Sequence, residues 1–191
     1  MSNIFDIIFV REKHVCPWWC CFTFDNFFRK FFQDPYKIVS PYIKPGDNVL
    51  DVGPGQGYFT LPMARMVGPQ GKIIAVDIQK RMLAILEKRA KKKSLEGQIH
   101  FQLVSNENFK IEYPLDFALA FWMVHEVSDR EVFLKSILNA LKPNATLLIA
   151  EPKIHVTGKN LDDTIAIAKK MGYRELARPP IAFSRAVLLV K

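Results

Sequence analysis

The feature that most constrains this chain is an apolar run that breaks into three glycines separated by single residues. Val49-Leu50-Asp51-Val52 leads into Gly53-Pro54-Gly55-Gln56-Gly57, and a second run, Ile73-Ile74-Ala75-Val76, closes on Asp77, twenty positions after the last glycine. Glycines are needed where backbone takes positive φ or where a ligand must touch the main chain. A buried strand, a glycine turn and a second strand ended by an acid point to a parallel α/β sheet. They also point to a nucleoside site at the strand ends, where the acid accepts from a ribose diol.

The spacing narrows the nucleoside. Dinucleotide sites read G-x-G-x-x-G, with a third glycine that lets helix and strand pack closely. Here the turn reads G-x-G-x-G, and Tyr58 stands where that third glycine is required. Asp51, two residues before the first glycine, is well placed for an ammonium group and badly placed for a pyrophosphate. S-adenosylmethionine (SAM) carries an α-amino group and a sulfonium and no phosphate, so the residues favour SAM over NAD.

Asp51-Val52-Gly53-Pro54-Gly55-Gln56-Gly57-Tyr58-Phe59 resembles the first motif of the class I SAM-dependent methyltransferases, and Val76-Asp77 the second. Leu115-Asp116-Phe117-Ala118-Leu119-Ala120-Phe121 is similar to the family's fourth strand. Leu141-Lys142-Pro143-Asn144-Ala145-Thr146-Leu147-Leu148 is similar to its turn into the fifth. Met123-Val124-His125-Glu126-Val127 resembles a stretch of the ubiquinone-biosynthesis and arsenite-methyltransferase type. The resemblance covers residues 35–191 in order. It implies a Rossmann-like, doubly wound seven-stranded sheet, mostly parallel with a C-terminal antiparallel hairpin. It also implies SAM as methyl donor, S-adenosylhomocysteine as product, and a small-molecule acceptor that the fold does not specify. Asp51, Gly53, Pro54, Gly55 and Gly57 are then expected around the methionine part of SAM, Asp77 and Ile78 at the ribose, and Phe121 beside the cofactor. Relatives carry an acid after the third strand near the adenine. Ser105 takes that place here, leaving Asn106 or Glu107 for the contact, or both as plain loop residues.

Alternating patterns predict strands at 48–52, 72–77, 99–104, 117–122, 145–150, 173–177 and 185–190, and helices at 57–67, 80–95, 129–142 and 161–171. Gly68, Gly97 and Gly172 stand at expected helix stops. Ser128 with Glu131 reads as a capping box, and Asn160 as the N-cap of the last helix. The loop with Pro179 and Pro180 is too short for a crossover helix, so the last two strands should pair antiparallel. The chain divides into an aromatic-rich cap or lid, residues 1–40, and a SAM-binding domain, residues 41–191.

In the first segment Phe27, Phe28, Phe31 and Phe32 fall on one helical face, with Asp25 as a possible N-cap. A helix packed on the sheet, a lid over the acceptor pocket and a membrane-surface element are the three readings. His14, Cys16, Cys20 and Cys21 lack the spacing of a zinc site, so no metal is expected. Three cysteines, all within residues 16–21, do not make a disulfide framework and suit a reducing cytoplasm. No run reaches the ~20 apolar residues of a membrane span, and no secretory signal is visible.

Methyl transfer to an oxygen or carbon acid needs a base. The candidates at the strand ends are His125, which titrates in the right range, and Glu151, which ends the fifth strand before Pro152. Each has a structural alternative: His125 as a hydrogen-bonding residue, Glu151 as a support for its loop. No N-P-P-[YF] tetrapeptide follows the fourth strand, which counts against amino-methylation of bases or glutamine. The net charge is +8, with Lys88, Arg89, Lys91, Lys92 and Lys93 clustered at one helix end. RNA or protein methylation rests on this charge alone, and a solvated helix face is the preferred explanation of it. A non-catalytic SAM-binding protein is the rival from another class.

Overall fold

A computed structural model describes residues 27–191; the cysteines, the two adjacent tryptophans and Asp25 lie outside the described residues. Seven strands form one sheet: β1 (Asn48–Val52), β2 (Lys72–Asp77), β3 (Ile99–Leu103), β4 (Leu115–Phe121), β5 (Leu141–Pro152), β6 (Arg174–Ala177) and β7 (Ser184–Val190). Their order is β3-β2-β1-β4-β5-β7-β6. β1 to β5 run parallel, and β7 is antiparallel to both β5 and β6. The helices are α1 (Phe27–Phe32), α2 (Pro35–Val39), α3 (Thr60–Val67), α4 (Lys80–Lys91), α5 (Arg130–Ala140) and α6 (Gly158–Lys170).

Two apolar layers sandwich the sheet, because its central strands are buried on both faces. Leu50, Ile74, Ala118 and Leu147 face the layer closed by α5 and α6 through Phe133, Leu134, Leu161 and Ile165. Val49, Ile73, Phe117 and Leu148 face the layer closed by α3 and α4 through Met63, Ala64, Leu86 and Ala90. Val39 and Ile43 pack in this second layer too, so residues of α2 and the turn after it belong to the domain core.

The strand order reverses between β1 and β4: the backbone leaves β1 toward β2 on one side and returns to β4 on the other. Ligands of open parallel sheets lie in the crevice beyond the strand ends at such a switch point. Every candidate residue from Asp51 to Glu151 sits at that end of the sheet or in a loop leaving it.

Several expected boundaries are corrected. The helix after the glycine turn starts at Thr60 rather than residue 57, because Gly53, Gly55 and Gly57 all hold positive φ and keep the backbone out of helix. α4 stops at Lys91, and the backbone turns at Ser94, φ 52°, not at Gly97. α5 is capped by the Asp129 carboxylate, which accepts from Val132 N–H at 3.0 Å, rather than by Ser128. α6 is capped by Thr157, whose Oγ1 accepts from Asn160 N–H, so Asn160 sits inside the first turn. α5 ends at Ala140, and the Leu141–Asn144 turn is absorbed into a long β5, with a register shift opposite Leu115 and Phe117. Phe31 and Phe32 do not form a buried face: they are 70% and 59% exposed.

The basic cluster is remote from the crevice. α4 starts at the C-terminal end of β2 and runs back toward the start of β3, which carries Lys88, Lys91, Lys92 and Lys93 to the opposite end of the sheet. These lysines are exposed, and Lys91 pairs with Glu87 at 2.7 Å one turn away.

Candidate cofactor and active site

The glycine turn is built around two kinds of contact. Gly53 N–H donates to Val76 C=O at 2.9 Å, extending the β1–β2 ladder, and Gly57 N–H donates to Pro54 C=O at 2.9 Å, closing the turn. Gly57 is packed from below: a Cβ there would lie 2.3 Å from Leu86 Cδ1. Gly55 also has positive φ, 54°, but a Cβ there meets nothing within 4 Å. Its outer side is open, so backbone is presented to the crevice at Gly55. Gln56 is buried, and its amide Nε2 has no hydrogen-bond partner among the described residues. An orphaned buried donor beside an open backbone cradle fits a polar ligand.

Two carboxylates flank this turn. Asp51 is buried, and its Oδ2 accepts from Thr60 Oγ1 at 2.6 Å. Burial pushes its pKa up to about 7, against the Thr60 hydrogen bond and with help from the charge of Asp77. Asp77 accepts from Gln79 N–H at 2.8 Å. Its pKa is pushed up to about 6 by burial, opposed by backbone donors from Gln79, Ile78 and Gly55. Asp77 therefore bridges the end of β2 and the glycine turn, while Ile78 beside it is 48% exposed. A buried carboxylate that resists ionisation gains from an ammonium or a hydroxyl pair placed against it.

The loop after β3 is tied elsewhere. Asn106 Oδ1 accepts from Asn108 N–H at 2.9 Å, and Glu107 Oε1 accepts from Ser128 N–H at 3.0 Å. Glu107 thus fastens this loop to the segment before α5. Its own backbone N–H and that of Ser128 lower its pKa.

Across the switch point, β4 and β5 pair through Phe121 and Ala150, which brings the residues after each strand together. Glu151 is buried and accepts from Val124 N–H at 2.9 Å, His125 N–H at 3.1 Å and His125 Nδ1 at 2.6 Å. A carboxylate can only accept, so Nδ1 carries the proton in this contact and Nε2 is the other edge of the ring. Burial, the largest influence on His125, works to lower its pKa. The hydrogen bond and charge of Glu151, with Glu126, outweigh it, and the net direction is upward. The ring stacks on His155 with centroids 5.7 Å apart.

Aromatic side chains fill the seam between the turn and β4. Phe59 and Phe121 lie with centroids 4.4 Å apart, and Trp122 lies 5.6 Å from Phe121. Trp122 holds φ 59°, its N–H donates to Ala150 C=O at 2.7 Å, and its indole N–H donates to Ser184 Oγ at 2.8 Å. A non-glycine residue held in this region marks a strained position of the kind found at functional sites. Arg29 of α1 lies over the same rings, its guanidinium carbon 4.2 Å from the Tyr58 centroid and 4.8 Å from that of Trp122, a placement that no motif marks in the sequence. Among the described residues no group of His, Cys, Asp and Glu could hold a metal ion, and no helix is long and apolar enough to cross a membrane.

Comparison with known proteins gives a consistent result. The methyltransferase-domain family matches residues 43–176. The ubiquinone/menaquinone biosynthesis C-methyltransferase UbiE of Vibrio campbellii is 32% identical over 112 residues, 56% of this chain and 42% of the relative. The protein thus spans less than half the length of the curated relatives it matches. The structure of a SAM-dependent methyltransferase from Aquifex aeolicus superposes with a TM-score of 0.77 at 25% identity, covering 92% of this chain and 99% of that one. That of a SAM-dependent O-methyltransferase from Thermotoga maritima gives 0.66 at 18% identity, covering 97% and 69%, a likeness of fold.

Proposed function

Because the chain belongs to the methyltransferase-domain family and its cofactor is SAM, we propose that it methylates a carbon of a small, flat, hydroxylated aromatic acceptor of the quinol type. The observation that carries this is the His125 Nδ1–Glu151 contact of 2.6 Å at the switch-point end of the sheet. When bound, SAM supplies a methyl group on a sulfonium that leaves as a neutral thioether.

The protein's own residues do the rest. Asp51 faces the cofactor's ammonium, Asp77 its ribose hydroxyls, and the open backbone at Gly55 lets both approach. Glu151 fixes His125 in the tautomer whose Nε2 accepts a proton. His125 takes the acceptor's hydroxyl proton, so electron density moves into the ring and onto the carbon that is methylated; the displaced ring proton then leaves to solvent. Phe59, Phe121 and Trp122 offer apolar faces to a flat acceptor and exclude water around it. The carbon acceptor agrees with the name of the UbiE relatives. A cytoplasmic setting agrees with the cysteine usage. The basic end of α4 points away from the crevice, so that cluster does not itself support a nucleic-acid acceptor.

The test is incubation of the purified protein with methyl-labelled SAM and a panel of hydroquinones, phenols and amines. Carbon methylation, seen by NMR of the product and lost in His125→Ala while S-adenosylhomocysteine still binds, is the expected result. Methylation at oxygen or nitrogen, or full turnover in His125→Ala, would overturn the carbon-acid reading.

A further inference from the structure

We propose that the end of the molecule beside the crevice docks onto an anionic lipid bilayer, through apolar side chains at the tips of two loops and one helix, with basic side chains at their rim. Ile154, in the turn after β5, is 82% exposed; Phe183, in the turn before β7, is 60% exposed; Phe32, at the end of α1, is 59% exposed. Scattered apolar residues are ordinary on a surface, but these come from elements that are joined. Phe32 and Phe183 meet edge to face with centroids 5.5 Å apart. Lys153 N–H donates to Phe183 C=O at 2.9 Å, which ties the loop carrying Ile154 to the loop carrying Phe183.

The backbone is built to present these side chains. Ser184 N–H donates to Ile181 C=O at 3.1 Å, closing a turn with Ala182 and Phe183 at its centre. Phe183 holds φ 59° there, a conformation that suits glycine or asparagine and that a bulky residue adopts only under constraint. In the other loop Val156 is buried, and His155 N–H and Val156 N–H both donate to Pro152 C=O, so Ile154 stands on the outer side of a closed turn. The Pro152–Ser184 register puts both turns beyond the C-terminal end of β5. That is the end where Glu151 and His125 meet.

Charge selects the partner. Lys153 and Lys159 are exposed. Arg185 Nε lies 3.9 Å from where a Gly158 Cβ would stand, at the start of α6. The acids on these elements are engaged or set back. Glu151 is buried against His125, Asp34 caps α2 through Tyr36 N–H, and Asp162 pairs with Arg178 at 2.8 Å, with exposed Asp163 beside it along α6. Cations around projecting apolar tips match anionic headgroups over acyl chains. The residues that lead into α1 carry Trp18, Trp19, Phe22 and Phe24 in sequence, the composition of an interfacial segment. Separate projecting tips ask for no complementary shape, so a fluid lipid surface fits them better than a folded partner.

The experiment is co-sedimentation of the full chain with vesicles of phosphatidylcholine alone and of an equal mixture of phosphatidylcholine and phosphatidylglycerol. The variants are Phe183→Asn, which tolerates positive φ, Ile154→Ser, and Lys153→Gln combined with Lys159→Gln. Far-UV circular dichroism of each confirms folding. The expected result is binding to the mixed vesicles and far weaker binding to phosphatidylcholine alone. Affinity for the mixed vesicles should fall about 5- to 20-fold in each apolar variant and about 10- to 30-fold in the lysine variant. No binding to the mixed vesicles would overturn the proposal. So would binding unchanged in Phe183→Asn and Ile154→Ser, which would assign the lipid contact to charge elsewhere, such as the lysines of α4. A dimer in analytical ultracentrifugation that Phe183→Asn splits would make this face an interface between two copies and overturn it too.

Discussion

Glu151 holds His125 twice, accepting from its backbone N–H at 3.1 Å and from its Nδ1 at 2.6 Å through the same oxygen, Oε2. The ring and its loop are positioned by one buried carboxylate. Burial acts to lower the His125 pKa and Glu151 acts to raise it. In Glu151→Gln the first influence should prevail, and an NMR titration should show a His125 midpoint below that of wild type. The stability linkage has a definite sign. A folded-state pKa raised above the unfolded value of ~6.5 adds stability that is present below that pH and lost as pH rises through the folded value. Glu151→Gln should lack this slope; matching midpoints in the two proteins would refute the account.

Asp51 should make cofactor binding release protons. Its pKa of about 7 in the ligand-free protein falls when an ammonium is placed against it. Titrations near pH 6.5 in two buffers of different ionisation enthalpy should give different apparent enthalpies, and Asp51→Asn should abolish the difference. Because both Asp51 and Asp77 are raised, the stability they contribute is present below about pH 4 and lost as pH rises through about 6 and 7. Asp51→Asn should therefore stabilise the ligand-free protein at pH 8, by an amount on the order of 1–3 kcal/mol in urea unfolding, while weakening SAM binding.

The glycine turn offers a paired test. Gly57→Ala meets Leu86 Cδ1 at 2.3 Å and must hold φ 91°, so it should cost about 2–5 kcal/mol in unfolding free energy. Gly55→Ala adds a methyl into open space at φ 54° and should cost about 1–2 kcal/mol. Its effect on SAM affinity should be the larger one, since the methyl enters the crevice. Loss of stability without loss of affinity in Gly55→Ala would argue that the cofactor does not approach this stretch of backbone.

Helix α5 tests the cap. Asp129→Ala removes an acceptor for Val132 N–H and should cost about 1 kcal/mol, whereas Ser128→Ala should change stability by a few tenths at most. The reverse ranking in thermal or urea unfolding would restore Ser128 as the cap.

The strands were legible because fully buried strands write themselves as continuous apolar runs, as in residues 72–77, which match β2 at both ends. The switch-point arrangement followed from the glycine turn and the acid after it. What could not be read was whatever depends on a distant partner. His125 and Glu151 were visible as separate candidates, but their contact is set by the Phe121–Ala150 register of two strands. Ser128 and Asp129 are both good caps by composition, and only the path of the backbone decides between them. The phenylalanines of α1 promised a buried face. Phe31 and Phe32 are exposed instead, and Arg29 turns inward, because the groups that fix α1 are Ala182, Ser184 and Tyr58, far away in sequence.

β7 occupies an interior place in the sheet although it is the last of the seven strands in sequence, with β5 on one side and β6 on the other. Until residues 184–190 have left the ribosome, β5 has a bare edge carrying Leu147, Leu148 and Ile149, and β6 has nothing to pair with. The growing polypeptide must keep that apolar edge from foreign strands for the whole time α6 and β6 are being made. Completion of the sheet, and with it the wall formed by Ser184 and Trp122, is deferred until β7 has emerged.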